Sequence, residues 1–150
     1  MGVEYFEDYE VGAEYLTHAR TITETDIVTF VNLVGFFEPL FIDMEFVKNQ
    51  SLFGGRIGPG TLTFALAEGL MAQSGLIRGG MALLGVDGMR LHAPLRCGDT
   101  MRVKITVLAK RETSKPDRGV VKFSHEVLNQ QGERLMEYTV TRMIRCRTDL

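Results

Sequence analysis

The run Thr61 to Ser74, T-L-T-F-A-L-A-E-G-L-M-A-Q-S, is apolar on nearly every side, with Glu68 and Gln73 as its strongly polar interruptions. A helix that is hydrophobic all round is a buried helix. Whatever fold this chain adopts must place that helix inside and pack other elements around it.

The covering elements follow in chain order. From about Met81 the hydrophobic period changes, and Met101, Val103, Ile105, Val107 and Ala109 alternate with Arg102, Lys104 and Thr106. Val121, Phe123, His125 and Val127 alternate in the same way with Lys122, Ser124 and Glu126, and Met136, Tyr138 and Val140 lead into a last strand ending near Ile144. A period of two with one apolar face predicts half-buried strands. Turn signals at Lys115-Pro116-Asp117-Arg118-Gly119 and Asn129-Gln130-Gln131-Gly132 separate them. Consecutive strands joined by turns imply an antiparallel sheet, whose apolar face needs something to bury against. The expected fold is α+β, with an antiparallel sheet wrapped around a central apolar helix: a hotdog fold.

Upstream of the central helix the signals are local. Thr23-Glu24-Thr25-Asp26 reads as a helix cap, Ile27, Phe30, Val31 and Val34 follow at helical spacing, and Gly35 can end the helix. Residues 43–50, D-M-E-F-V-K-N-Q, predict a shorter helix with Asp43 as its cap. The stretch 54–60, G-G-R-I-G-P-G, then breaks any regular element. A short strand near the N-terminus carries His18.

A chain of 150 residues with 45% hydrophobic and 24% charged residues supports one ordinary core, so residues 1–150 are expected to form a single domain. Lys and Arg number 17 against 19 Asp and Glu, for a net charge of -2, and the charges are interspersed. That distribution argues against nucleic acid as a partner. Cys97 and Cys146 have no metal-site spacing and read as free, buried or half-buried thiols. The acidic start, M-G-V-E-Y-F-E-D-Y-E, does not look like a secretory signal, and no apolar run approaches a membrane span. The expectation is a cytoplasmic protein with no metal.

Four stretches carry a family resemblance: T-I-T-E-T-D-I-V-T-F-V-N-L-V-G from Thr21, G-F-F-E-P-L-F-I-D from Gly35, F-G-G-R-I-G-P-G-T-L from Phe53, and A-P-L-R-C-G-D-T from Ala93. In order and spacing they resemble the MaoC-like dehydratases, whose better-known members are (R)-specific enoyl-CoA hydratases. The resemblance implies a hotdog domain, an acyl-CoA thioester as substrate, no cofactor beyond the coenzyme A carried by that substrate, and at least a homodimer.

The departures from the family pattern are chemical. The family's G-D-x-N-P-x-H keeps its first residue and its proline as Gly35 and Pro39, but Phe36 stands at the Asp position, Glu38 at the Asn position and Phe41 at the His position. The family's G-R-I-A-H-G becomes Gly55-Arg56-Ile57-Gly58-Pro59-Gly60, with Pro59 in place of its His. Phenylalanine cannot exchange a proton, so the usual activation of water is lost. What the resemblance leaves intact is Gly60, whose backbone N–H in the family holds the thioester carbonyl oxygen. Phe36, Phe41, Arg56, Ile57, Gly58 and Pro59 are by the same resemblance assigned to the substrate pocket.

Glu38 is the titratable group of the changed segment. It is either an ordinary loop carboxylate or, if Phe36, Phe37 and Phe41 desolvate it, a general acid or base. His125 falls on an apolar strand face and reads as a hydrogen-bonded core histidine, while His92 sits at a strand end. Arg78, Arg90, Arg96, Lys110 and Arg111 read as solvated, with one or two able to meet coenzyme A phosphates. Three functions fit these residues: a hydratase or dehydratase with a non-standard catalytic set, an acyl-CoA thioesterase, and a catalytically inactive acyl-CoA-binding or structural subunit.

Overall fold

Four long strands and one buried helix make the core of the computed structural model, which describes residues 2–148. The strands near the N-terminus are short: β1 (Glu14–Leu16) and β2 (Arg20–Thr21), with His18 in the gap between them rather than inside a strand. Helix α1 (Glu24–Val34) starts at a reciprocal capping box in which Thr23 and Asp26 satisfy each other's backbone N–H groups, and it ends on Gly35 at φ 72°. That left-handed conformation is one glycine adopts without strain. A single turn α2 (Pro39–Ile42), not foreseen from the sequence, precedes α3 (Met44–Gln50), whose cap is Asp43 accepting from Phe46 N–H at 3.0 Å.

The glycine-rich stretch is not wholly irregular. Its β3 (Ile57–Gly58) leads directly into the central helix α4 (Gly60–Gln73) and pairs antiparallel with β5 (Leu95–Arg96). Between them in the chain runs β4 (Gly80–Leu91), and after them come β6 (Thr100–Glu112), β7 (Arg118–Leu128) and β8 (Arg134–Arg145). The sheet order is β1-β6-β7-β8-β4, with β2 also on β6 and every pairing antiparallel.

Helix α4 buries Leu62, Ala67, Leu70 and Met71 against the inner face of this sheet, where Val103, Ile105, Phe123, Val127, Met136 and Val140 are all inaccessible. Each of these side chains larger than alanine contributes about 1.5–3 kcal/mol through burial. The alternation read from the sequence holds in β6 through Val107. An extra residue then enters as a bulge between Val107 and Ala109, so Ala109 faces solvent instead of the core. The hotdog architecture is thus present, with β4 as an outer edge whose residues are largely exposed. Cys97 is exposed rather than half-buried, and Cys146 is intermediate.

Candidate active site at the start of the central helix

Pro59 fixes how α4 begins. It is the N-cap, offers no side-chain hydrogen bond, and its carbonyl accepts from the N–H groups of Leu62 and Thr63. The N–H groups of Gly60 and Thr61 lie in the first turn, outside the helical ladder, at the positive end of the helix dipole. The β3–β5 ladder holds this start in place through the pairs Ile57 with Arg96 and Gly58 with Leu95. Side chains are absent here for a steric reason. A Cβ on Gly58 would come within 3.1 Å of the Leu62 side chain, and one on Gly60 would overlap the Leu91 side chain.

Gly58 and Gly60 open into a cavity of about 330 Å3. Its wall is apolar: Leu40, Phe41, Phe53, Ile57, Leu91 and Pro94. A cavity of about 400 Å3 lies elsewhere, among Phe6, Glu112, Lys115 and Arg118, but its lining is charged and takes in no part of the helix start. The smaller cavity is the one with the features of a small-molecule site, a concave apolar surface with a few fixed polar groups.

The segment after α1 forms one side of this wall. Phe36 and Phe41 pack edge to face with centroids 5.3 Å apart, and Phe41 is buried. Phe37 turns outward at 60% exposure. Glu38 is exposed at the N-cap of α2, where its carbonyl accepts from Phe41 and Ile42 N–H while its carboxylate caps nothing. The aromatic enclosure that would desolvate Glu38 is therefore absent. Arg56 ties the segment down, with Nε donating to Glu24 Oε1 at 2.9 Å and Nη1 reaching the Phe41 carbonyl at 3.4 Å.

Of the residues singled out in the sequence, Phe41, Ile57, Gly58 and Gly60 thus meet in the cavity lining. Phe36, Arg56 and Pro59 stand behind it as packing, anchor and cap, and Glu38 lies outside it. Leu40, Phe53, Leu91, His92, Ala93 and Pro94 complete the lining. Phe53 belongs to the same short stretch as Gly60, whereas no local signal joins Leu91 and His92 to it, because they arrive from the end of β4. His92 carries its Nε2 3.4 Å from Glu137 Oε1 on β8. Among the basic residues, Arg96 is engaged with the Phe53 carbonyl at 2.8 Å and Lys110 sits over the Phe6 ring at 4.9 Å.

A second polar cluster lies beneath α4, away from the cavity. Tyr138 donates to Glu68 Oε1 at 2.6 Å, His125 Nδ1 is 2.8 Å from the Tyr138 hydroxyl, and Arg142 pairs with the other oxygen of Glu68. Since the tyrosine proton goes to Glu68, the imidazole donates to the tyrosine oxygen, leaving His125 Nε2 as a buried acceptor without a partner among the described residues. Burial holds His125 neutral, with its pKa lowered to about 4, and pushes Tyr138 well above its ordinary value. His125 is thus the core histidine that its strand position implied.

The model of the family described as MaoC like domain matches residues 7–129. Protein MaoC of Klebsiella aerogenes is 36% identical over 116 residues, 77% of this chain and 33% of that protein. The 3-hydroxybutyryl-CoA dehydratase of Methylorubrum extorquens is 30% identical over 107 residues, 71% of this chain and 66% of the relative. This chain thus spans a third of the first of these relatives and just under two thirds of the second. The crystal structure of the MaoC-like dehydratase from Rhodospirillum rubrum superposes with a TM-score of 0.85 at 30% identity, covering 97% of this chain and 99% of that one.

Proposed function

Because the chain belongs to the MaoC-like domain family, we propose that it binds an acyl-CoA thioester in the cavity at the start of α4 and acts there as an enoyl-CoA hydratase or dehydratase. The observation that carries this reading is the meeting of Gly58 and Gly60 with an apolar wall in one cavity of about 330 Å3. When water adds to an enoyl thioester, negative charge develops on the carbonyl oxygen. A fixed N–H aimed at that oxygen accelerates such reactions by about 10²–10³-fold. Gly60 N–H supplies that donor, and the wall of Phe41, Phe53 and Leu91 accepts an apolar acyl chain. The dehydratase name of the Methylorubrum relative supports a coenzyme A thioester as the substrate.

A second reading has its own observation. Phe36 and Phe41 pack against each other where the family pattern has its proton-transferring pair, which favours a protein that holds acyl-CoA without transforming it. A panel of short, branched and aromatic enoyl-CoA thioesters separates the readings, with loss of the conjugated double bond and release of free thiol followed together. Loss of the double bond without thiol is the expected result. Thiol release would replace the hydratase with a thioesterase, and tight binding with silence on both channels would replace it with a carrier. Glu38→Gln belongs in the same assay, since unchanged turnover removes that carboxylate from the catalytic set.

The working form on this reading is a homodimer in the cytoplasm. Strand β4 is 12 residues long, lies at the sheet edge, and exposes about half of Met81, Leu83 and Leu84. A long apolar edge invites pairing with another strand, and a second copy of β4 supplies one of matching length. The free thiols Cys97 and Cys146 suit a reducing compartment.

A further inference from the structure

Addition of water across a conjugated double bond needs a group that takes a proton from water and gives one to carbon. Nine of the ten residues lining the cavity at the start of α4 are Leu, Phe, Ile, Gly, Ala or Pro, and none of those side chains can exchange a proton. The tenth is His92. Histidine is the residue type best suited to accept and release protons near neutral pH.

His92 reaches the rim of the cavity from the end of β4. Leu91, the last residue of β4, packs so closely over Gly60 that a Cβ there would overlap it. His92 follows at once, and its own N–H is anchored to the Leu135 carbonyl at 2.9 Å. Its imidazole Nε2 lies 3.4 Å from Glu137 Oε1. Glu137 is itself held, because its other oxygen accepts from Arg134 Nη1 at 2.7 Å. Both side chains are partly exposed, His92 at 42% and Glu137 at 37%, and a carboxylate this close steadies the imidazolium once it forms.

Resting on the thioester reading above, we propose that His92 is the general base and acid of this cavity and that Glu137 is its positioning residue. In the hydration direction the His92 imidazole accepts a proton from water as the water oxygen bonds to the β-carbon. The electron pair of the double bond moves through the α-carbon to the thioester oxygen, held by Gly60 N–H. The enolate then collapses, and the α-carbon takes the proton from the imidazolium. One water is added, nothing is oxidised or reduced, and His92 ends neutral.

The test compares wild type, His92→Gln, Glu137→Gln, Glu137→Asp and His18→Gln by hydration kinetics on crotonyl-CoA and by calorimetric binding of butyryl-CoA, which cannot be hydrated. His92→Gln is expected to lower kcat by about 10²–10³-fold while butyryl-CoA binding stays within about twofold. Glu137→Gln is expected to lower kcat by roughly tenfold at constant KM, with Glu137→Asp recovering part of the loss, and His18→Gln should match wild type. Wild-type turnover in His92→Gln overturns the proposal, as does a parallel loss of butyryl-CoA binding, which would make His92 a wall residue. If the wild type binds butyryl-CoA but hydrates nothing, the proposal falls and the binding site stands. If it binds no thioester, the reading of the cavity falls first and the proposal with it.

Discussion

Gly60 has no room for a side chain because Leu91 occupies the space where a Cβ would go. Leu91 is 56% exposed and can swing outward, so Gly60→Ala should change unfolding free energy by about 1 kcal/mol or less, in the range of ordinary helix-propensity effects. Its effect on the site is larger, since Leu91 lines the cavity and its displacement reshapes the wall. Calorimetry should show butyryl-CoA binding weakened at least about tenfold, a change of about 1.4 kcal/mol, with Gly60→Ala/Leu91→Ala recovering most of it. If the double substitution binds no better than the single one, the space shared by these two residues does not limit ligand entry. The caps at Thr23 and Asp43 and the left-handed Gly35 were legible from neighbouring residues alone. The role of Glu68 was not, because its partners Tyr138, His125 and Arg142 come from strands far along the chain.

Elements differ in how far their patterns betray their surroundings. Helix α4 could be assigned because it is apolar on all sides, and β7 because it alternates from Val121 to its end. Strand β4 has no such clarity, and three register shifts along its pairing with β8 break the period of two. Its exposed Met81, Leu83, Leu84 and Met89 are unusual for a surface and sit on an unpaired edge. Charged residues on an edge strand discourage pairing. Sedimentation is expected to show a dimer for wild type and a monomer for Leu84→Glu/Met89→Glu, and a dimer in both would locate the contact elsewhere. The β3–β5 ladder, only two residues long, escaped the sequence altogether although it positions Gly58.

At the scale of the molecule, the cluster under α4 couples folding to pH. Burial lowers the pKa of His125 from 6.5 to about 4. The unfolded chain therefore binds a proton at this residue as pH falls through 6.5, and the folded chain does not until about 4. Stability is accordingly full above about pH 6.5 and declines towards pH 4 with a limiting slope of about 1.4 kcal/mol per pH unit. Asp8 and Asp26 have pKa values lowered by backbone hydrogen bonds from Tyr5 and Thr23 respectively, and their contributions are lost in a more acidic range. Urea unfolding of wild type and His125→Leu at pH 7, 5.5 and 4.5 isolates the histidine. The variant should lose the slope between pH 6.5 and 4.5, and an unchanged slope would place the coupling in other groups.

Helix, strands, caps and wrapping order could be read from the chain because each signal lies within one turn of helix or a few strand positions. A buried helix must be apolar on every face, and a half-buried strand must alternate. The phenylalanines at 36 and 41 likewise announced the loss of the usual proton-transfer pair, since residue identity alone decides whether a side chain can carry a proton. Which groups share the cavity depended instead on the antiparallel order β1-β6-β7-β8-β4. That topology carries the end of β4 to the start of α4, setting Leu91 over Gly60 and His92 beside Glu137, while Glu38 stays in solvent. Proximity between residues distant in the chain is created by packing, and no local pattern encodes it.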